Sequence, residues 1–105
     1  MMEALRDGIF CVYPETVDAN FSSKLLHDLK SKNPCDLILD FSQNTPLKKG
    51  CLKPIQDFQE QQSRVLVLIV DSDHVTADED WIMVPTQTEA LDYISFEQMQ
   101  RDLGT

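Results

Sequence analysis

At 105 residues the chain has room for one domain built around one hydrophobic core. Its 42% hydrophobic and 26% charged residues are ordinary globular usage, which excludes disorder and low complexity. Eighteen acids against nine bases leave a formal charge of −9, which excludes duplex nucleic acid as a partner of the whole surface, because phosphates require clustered cations. The longest apolar run, Val65 to Val70, falls far short of the ~20 residues of a membrane span. The opening Met-Met-Glu-Ala-Leu-Arg-Asp lacks the basic and apolar regions of a secretory signal, so a soluble, cytoplasmic protein is expected.

The elements read as alternating strands and helices. Gly8 to Tyr13, ended by Pro14, is β-branched and aromatic enough for a strand. From Asn20 to Lys32, Phe21, Leu25, Leu26 and Leu29 recur at helical spacing, with Asn20 as N-cap and Asn33-Pro34 as the stop. Asp36 to Phe41 is a short, nearly continuous apolar strand, the pattern of one covered on both faces. A polar loop runs from Ser42 to Gly50. Leu52, Ile55 and Phe58 then define a second helix to about Gln62, with Pro54 tolerated in its first turn.

Arg64 to Val70 is the strongest strand, and an acidic loop, Asp71 to Asp80, leads to a short strand at Trp81–Val84. Thr86 and Glu89 stand at capping-box spacing before a third helix that turns Ala90, Leu91 and Ile94 inward. Ser95 and Gln98 repeat that spacing, which predicts a separate closing helix with Phe96, Met99 and Leu103 on one stripe. Strand–helix alternation of this kind indicates a single α/β domain over residues 1–105 with a mixed, partly parallel sheet. The charge is uneven along it: residues 1–64 hold nine acids and eight bases, whereas residues 65–105 hold nine acids and Arg101 alone.

Three cysteines, Cys11, Cys35 and Cys51, form no Cys-x-x-Cys pair and match no zinc spacing. The first two border apolar runs, where a reduced cysteine is a small core residue.

The order of elements carries a resemblance. Leu37-Ile-Leu-Asp40-Phe41-Ser42, then Val65–Val70, then Ile82-Met-Val-Pro85-Thr86-Gln-Thr-Glu89-Ala90-Leu91 together resemble a STAS domain, the fold of bacterial anti-sigma factor antagonists. The resemblance covers roughly residues 8–95 and implies a STAS-like α/β domain that binds a protein partner. The chain is also similar to short bacterial STAS-like chains that end as Glu97-Gln-Met-Gln-Arg101-Asp-Leu-Gly104 does.

It departs from the family at the functional point. The family's Asp-Ser-Ser/Thr-Gly-Leu loop falls on Lys48-Lys49-Gly50-Cys51-Leu52, so Lys49 stands where antagonists carry the phosphorylated serine. A lysine has no hydroxyl to accept phosphate and carries the opposite charge. The ribonuclease Z label that such chains sometimes carry requires a histidine-rich two-zinc site, and His27 and His74 are the only histidines here.

Other motifs point elsewhere. Asp71-Ser-Asp73-His-Val75 after a hydrophobic strand matches the D-x-D-x-V pattern of Mg²⁺-dependent haloacid-dehalogenase-type phosphatases, but no lysine follows Lys53 to hold the phosphate. The acids Asp71, Asp73, Asp78, Glu79 and Asp80 fail as an EF-hand, because Val75, Thr76 and Ile82 occupy its fifth, sixth and twelfth places. No Ser/His/Asp or Cys/His signature occurs, and Gly50 follows two lysines instead of preceding one, so no phosphate loop is read.

Lys48, Lys49 and Lys53 bracket the start of the second helix, where free N–H groups and the helix dipole favour an anion. The expectation is a non-enzymatic interaction module whose partner or anion contact uses Lys48, Lys49, Gly50, Leu52 and Lys53, with no catalytic residue, metal or cofactor. A protein partner is expected, without nucleic acid or membrane. A small-ligand or lipid binder of related fold is the alternative, and a phosphatase using Asp71 and Asp73 the weaker one. Residues 95–103 are expected to pack on the domain through Phe96 and Leu103, leaving a monomer, since so short a helix does not persist alone.

Overall fold

The computed structural model describes residues 2–15, 17–41, 50–70 and 81–104. Strands β1 (Glu3–Arg6) and β2 (Ile9–Val12) lead to helix α1 (Ala19–Lys30) and strand β3 (Asp36–Asp40). Helix α2 (Lys53–Gln61), strand β4 (Leu66–Ile69), strand β5 (Ile82–Val84) and helix α3 (Gln87–Gly104) complete the chain. The five strands form one mixed sheet in sequence order. The β1–β2 pair is antiparallel, and β2–β3, β3–β4 and β4–β5 are parallel. The α/β fold expected from the alternation is therefore present.

Period-2 alternation sorts the strand side chains between two cores. Val12, Leu37, Leu39, Leu66 and Leu68 point to the side covered by Leu25 and Leu29 of α1 and Ile55 of α2. Ile9, Cys11, Ile38, Val67 and Ile69 point to the other side, covered by Ala90 and Ile94 of α3. The sheet is thus a middle layer, which is why β3 and β4 read as continuous apolar runs. Cys11 and Cys35 are buried, and all three cysteines are free. Among the described residues no helix is long and apolar enough to cross a membrane.

Four local readings change. Strand β1 was not expected from the sequence. Asp7-Gly8 turns it back onto β2, with Gly8 at φ +77, a left-handed conformation that glycine adopts without strain. The N-cap of α1 is Asp18, not Asn20: its Oδ1 accepts from the Phe21 amide at 2.8 Å.

The third and closing helices are one helix. Neither proline nor glycine interrupts residues 87–103, so intrahelical bonding runs through Ser95, and Gln98 serves no cap. The start at Thr86 holds: its hydroxyl accepts from the Glu89 amide at 3.2 Å and donates to Glu89 Oε2 at 3.1 Å.

The tail is also held by different groups from those expected. Phe96 and Leu103 are 57% and 80% exposed, so they anchor nothing. Arg101 and Gln98 do the anchoring instead. Arg101 Nη2 lies 2.8 Å from Asp36 Oδ2, Gln98 Nε2 donates to the same oxygen at 3.3 Å, and Arg101 Nη1 donates to the Ser63 carbonyl at 3.2 Å. The helix turns polar groups toward the start of β3 and its apolar stripe toward solvent.

Candidate functional site

The strands β2, β3, β4 and β5 run parallel, so their carboxyl ends share one edge of the sheet, where ligands and partners of α/β folds are usually met. Chain leaves that edge at Phe41 after β3 and returns to it at the start of α2. Of the five residues expected to make contact, Lys48 and Lys49 lie outside the described residues, as do Asp71, Asp73 and His74. Gly50, Leu52 and Lys53 stand together at the head of α2.

Each of these three has a separate part. Gly50 is exposed at φ +84, a left-handed conformation that a side chain would strain. Leu52 is the N-cap, wholly buried in the core beneath α1 and α2. It therefore fixes the entry of the helix and presents no side chain to a partner. Lys53 is exposed and reaches Asp57 one turn on, Nζ to Oδ1 2.9 Å. A leucine N-cap offers no side-chain acceptor of its own, and Pro54 brings no N–H to the first turn. The positive end of its dipole faces the same surface.

Elsewhere on the carboxyl edge, Tyr13 and Gln87 meet, Gln87 Nε2 donating to Tyr13 Oη at 3.4 Å. Cys11 lies wholly buried two residues before Tyr13 on the same strand. Burial pushes its thiol up, and burial does the same to Cys35. Both thiols stay protonated at neutral pH and are poor nucleophiles. His27 is exposed in the last turn of α1. Among the described residues no group of three or more His, Cys, Asp or Glu is placed to hold a metal ion.

The opposite, amino-terminal edge carries the most organised polar network. Asp36 is 1% exposed, with Oδ1 accepting from the Val65 amide at 3.0 Å and Oδ2 taking Arg101 and Gln98. Gln59, equally buried, donates from Nε2 to the carbonyls of Cys35 and Val65 at 2.8 and 3.0 Å. An open concavity of about 590 Å³ lies over this network, lined by Gly8, Ser63, Arg64 and Arg101 among others.

Every oxygen of the Asp36 carboxylate is satisfied from inside the protein, so the network ties strands and helix together and offers no unpaired acceptor to a ligand. The sequence reading passed over it. The signal was an acid opening an otherwise apolar strand, which needs a partner once buried.

The fold and its carboxyl edge define an α/β protein with a mixed sheet covered on both faces. No protein-family model, curated protein or solved structure matches the chain.

Proposed function

We propose that the chain is a non-enzymatic protein-interaction module, working in the manner of an anti-sigma factor antagonist without phosphoserine control. The observation that carries this reading is the head of α2. It is a helix start at the carboxyl edge of the parallel strands, entered through an exposed glycine, with Leu52 as N-cap and the exposed Lys53 next to it. The positive end of the helix dipole favours a partner's carboxylate there, and the sequence adds Lys48 and Lys49 in place of any hydroxyl. Strand, helix, strand, loop, helix and strand follow in the order that the STAS resemblance implies.

Affinity capture from native cell extract tests the proposal, with the intact chain and its Lys49→Glu variant compared at matched folding. A partner retained by the wild type and lost by the variant is the expected result. Equal retention by both forms, or none by either, removes the reading.

A further inference from the structure

On α3 the residues Glu89, Asp92, Phe96, Met99 and Leu103 follow one another at steps of three and four, the spacing of a single helical seam. That seam lies opposite Ala90, Ile94, Gln98 and Arg101, which face the sheet. Phe96, Met99 and Leu103 are 57%, 60% and 80% exposed, and Asp92 and Glu89 are exposed beside them. An 18-residue helix therefore shows solvent a stripe that is acidic in its first half and apolar in its second. Its one base, Arg101, is committed to Asp36 on the other side.

We propose that this outer face of α3 docks an amphipathic helix of a partner protein, one whose seam presents two cations and then apolar residues. Charge decides the occupant. A second copy laid parallel would bring Glu89 and Asp92 against their own counterparts. Laid antiparallel over its full length, it would bury those carboxylates against Leu103 and Met99, and slid to pair only the apolar halves it would cover half the seam. Like charges and unpaired buried charges are both unfavourable, so self-pairing is disfavoured in either direction. A membrane with anionic lipids is repelled by the same acids. A basic amphipathic helix satisfies both halves of the seam at once, its lysines on Glu89 and Asp92 and its apolar side chains on Phe96, Met99 and Leu103. This surface lies across the sheet from α2, so it is a second contact, independent of the head of α2.

The test uses the full chain and a synthetic fluorescent helical peptide of about three heptads, carrying two lysines and then three leucines along its seam. The wild type is expected to bind it, and the same peptide with glutamates for lysines at least ~20-fold more weakly. The triple variant Phe96→Ser, Met99→Ser, Leu103→Ser keeps every charge and changes only exposed positions. It is expected to fold as the wild type does by circular dichroism and to lose roughly 50-fold in affinity. Asp92→Lys leaves one acid and one base on the seam and is expected to abolish the preference between the two peptides.

Equal affinity of wild type and triple variant, equal affinity for both peptides, or no binding overturns the proposal. So does light scattering that finds a dimer for the wild type and a monomer for the triple variant, or binding to anionic vesicles that the triple variant loses. Lys49→Glu leaves this peptide affinity unchanged, which keeps the outcome separate from that of the α2 surface.

Discussion

Replacing Arg101 with methionine keeps the aliphatic stem and removes only the guanidinium. Two contacts are then lost. Asp36 Oδ2 loses its 2.8 Å partner, Ser63 O loses a donor at 3.2 Å, and the Asp36 side chain, 2% exposed, keeps only the Val65 amide and Gln98. Removing one partner of a buried pair costs about 3–5 kcal/mol because the other charge is left uncompensated. The Arg101 side chain is 25% exposed and an open concavity adjoins it, so water reaches part of the orphaned carboxylate. The expected loss is therefore about 2–3 kcal/mol, or roughly 8–20 °C in Tm for a domain of this size.

Urea unfolding followed by Trp81 fluorescence and circular dichroism measures the global term. Amide exchange locates the local one, which is expected in residues 95–103, since only that half of α3 hangs on Arg101 and Gln98. In a double-mutant cycle with Asp36→Asn the coupling is expected to exceed about 1 kcal/mol. A stability change below about 0.5 kcal/mol, or added exchange spread evenly over the sheet, refutes the reasoning.

Two further predictions concern the thiols and one the backbone. Burial raises the Cys11 and Cys35 thiols above their ordinary value near 9, so the folded state favours the protonated form. The unfolded chain ionises first as pH rises. The thiols' contribution to stability is therefore constant below about pH 8.5 and falls above it, and the fall in Tm between pH 8 and 10 is expected to be shallower in Cys35→Ala, with an unchanged slope counting against the assignment. Under native conditions a disulfide reagent is expected to modify Cys51, which is partly exposed, well before Cys11 and Cys35, and three thiols reacting at one rate would contradict their burial. Ser63, at φ +56, closes α2 with its amide bound to the Glu60 carbonyl and the Arg64 amide to the Gln59 carbonyl, so Ser63→Gly is expected to raise stability by about 0.5–1 kcal/mol in urea, and a loss would show that the left-handed turn is not strained.

The layers of the fold were readable because burial on both faces writes itself into β3 and β4 as unbroken apolar runs. The head of α3 was equally plain, Thr86 and Glu89 being the right residues at the right spacing. Strand β1 escaped because Glu3-Ala-Leu-Arg6 has little strand propensity, although Asp7-Gly8 beside Ile9 was a hairpin signal.

The tail was misread for an instructive reason. Its stripe of Phe96, Met99 and Leu103 predicts a buried face by periodicity, yet the anchoring contact is an ion pair between Arg101 and Asp36, 65 residues apart. No local pattern announces a partner at that separation. At the candidate site, the lack of a side-chain acceptor at the N-cap of α2 follows from Leu52, whereas the burial of Leu52 depends on how α1 and α2 share one side of the sheet.

Hydrogen exchange of the chain, alone and bound to the captured partner, addresses the central claim most directly. The account predicts new protection in the first turn of α2, residues 53–56, when the partner binds. Protection confined to α3 would leave only the second docking face. Protection confined to the amino-terminal edge around Asp36 and Ser63, with α2 exchanging as in the free chain, would contradict the account.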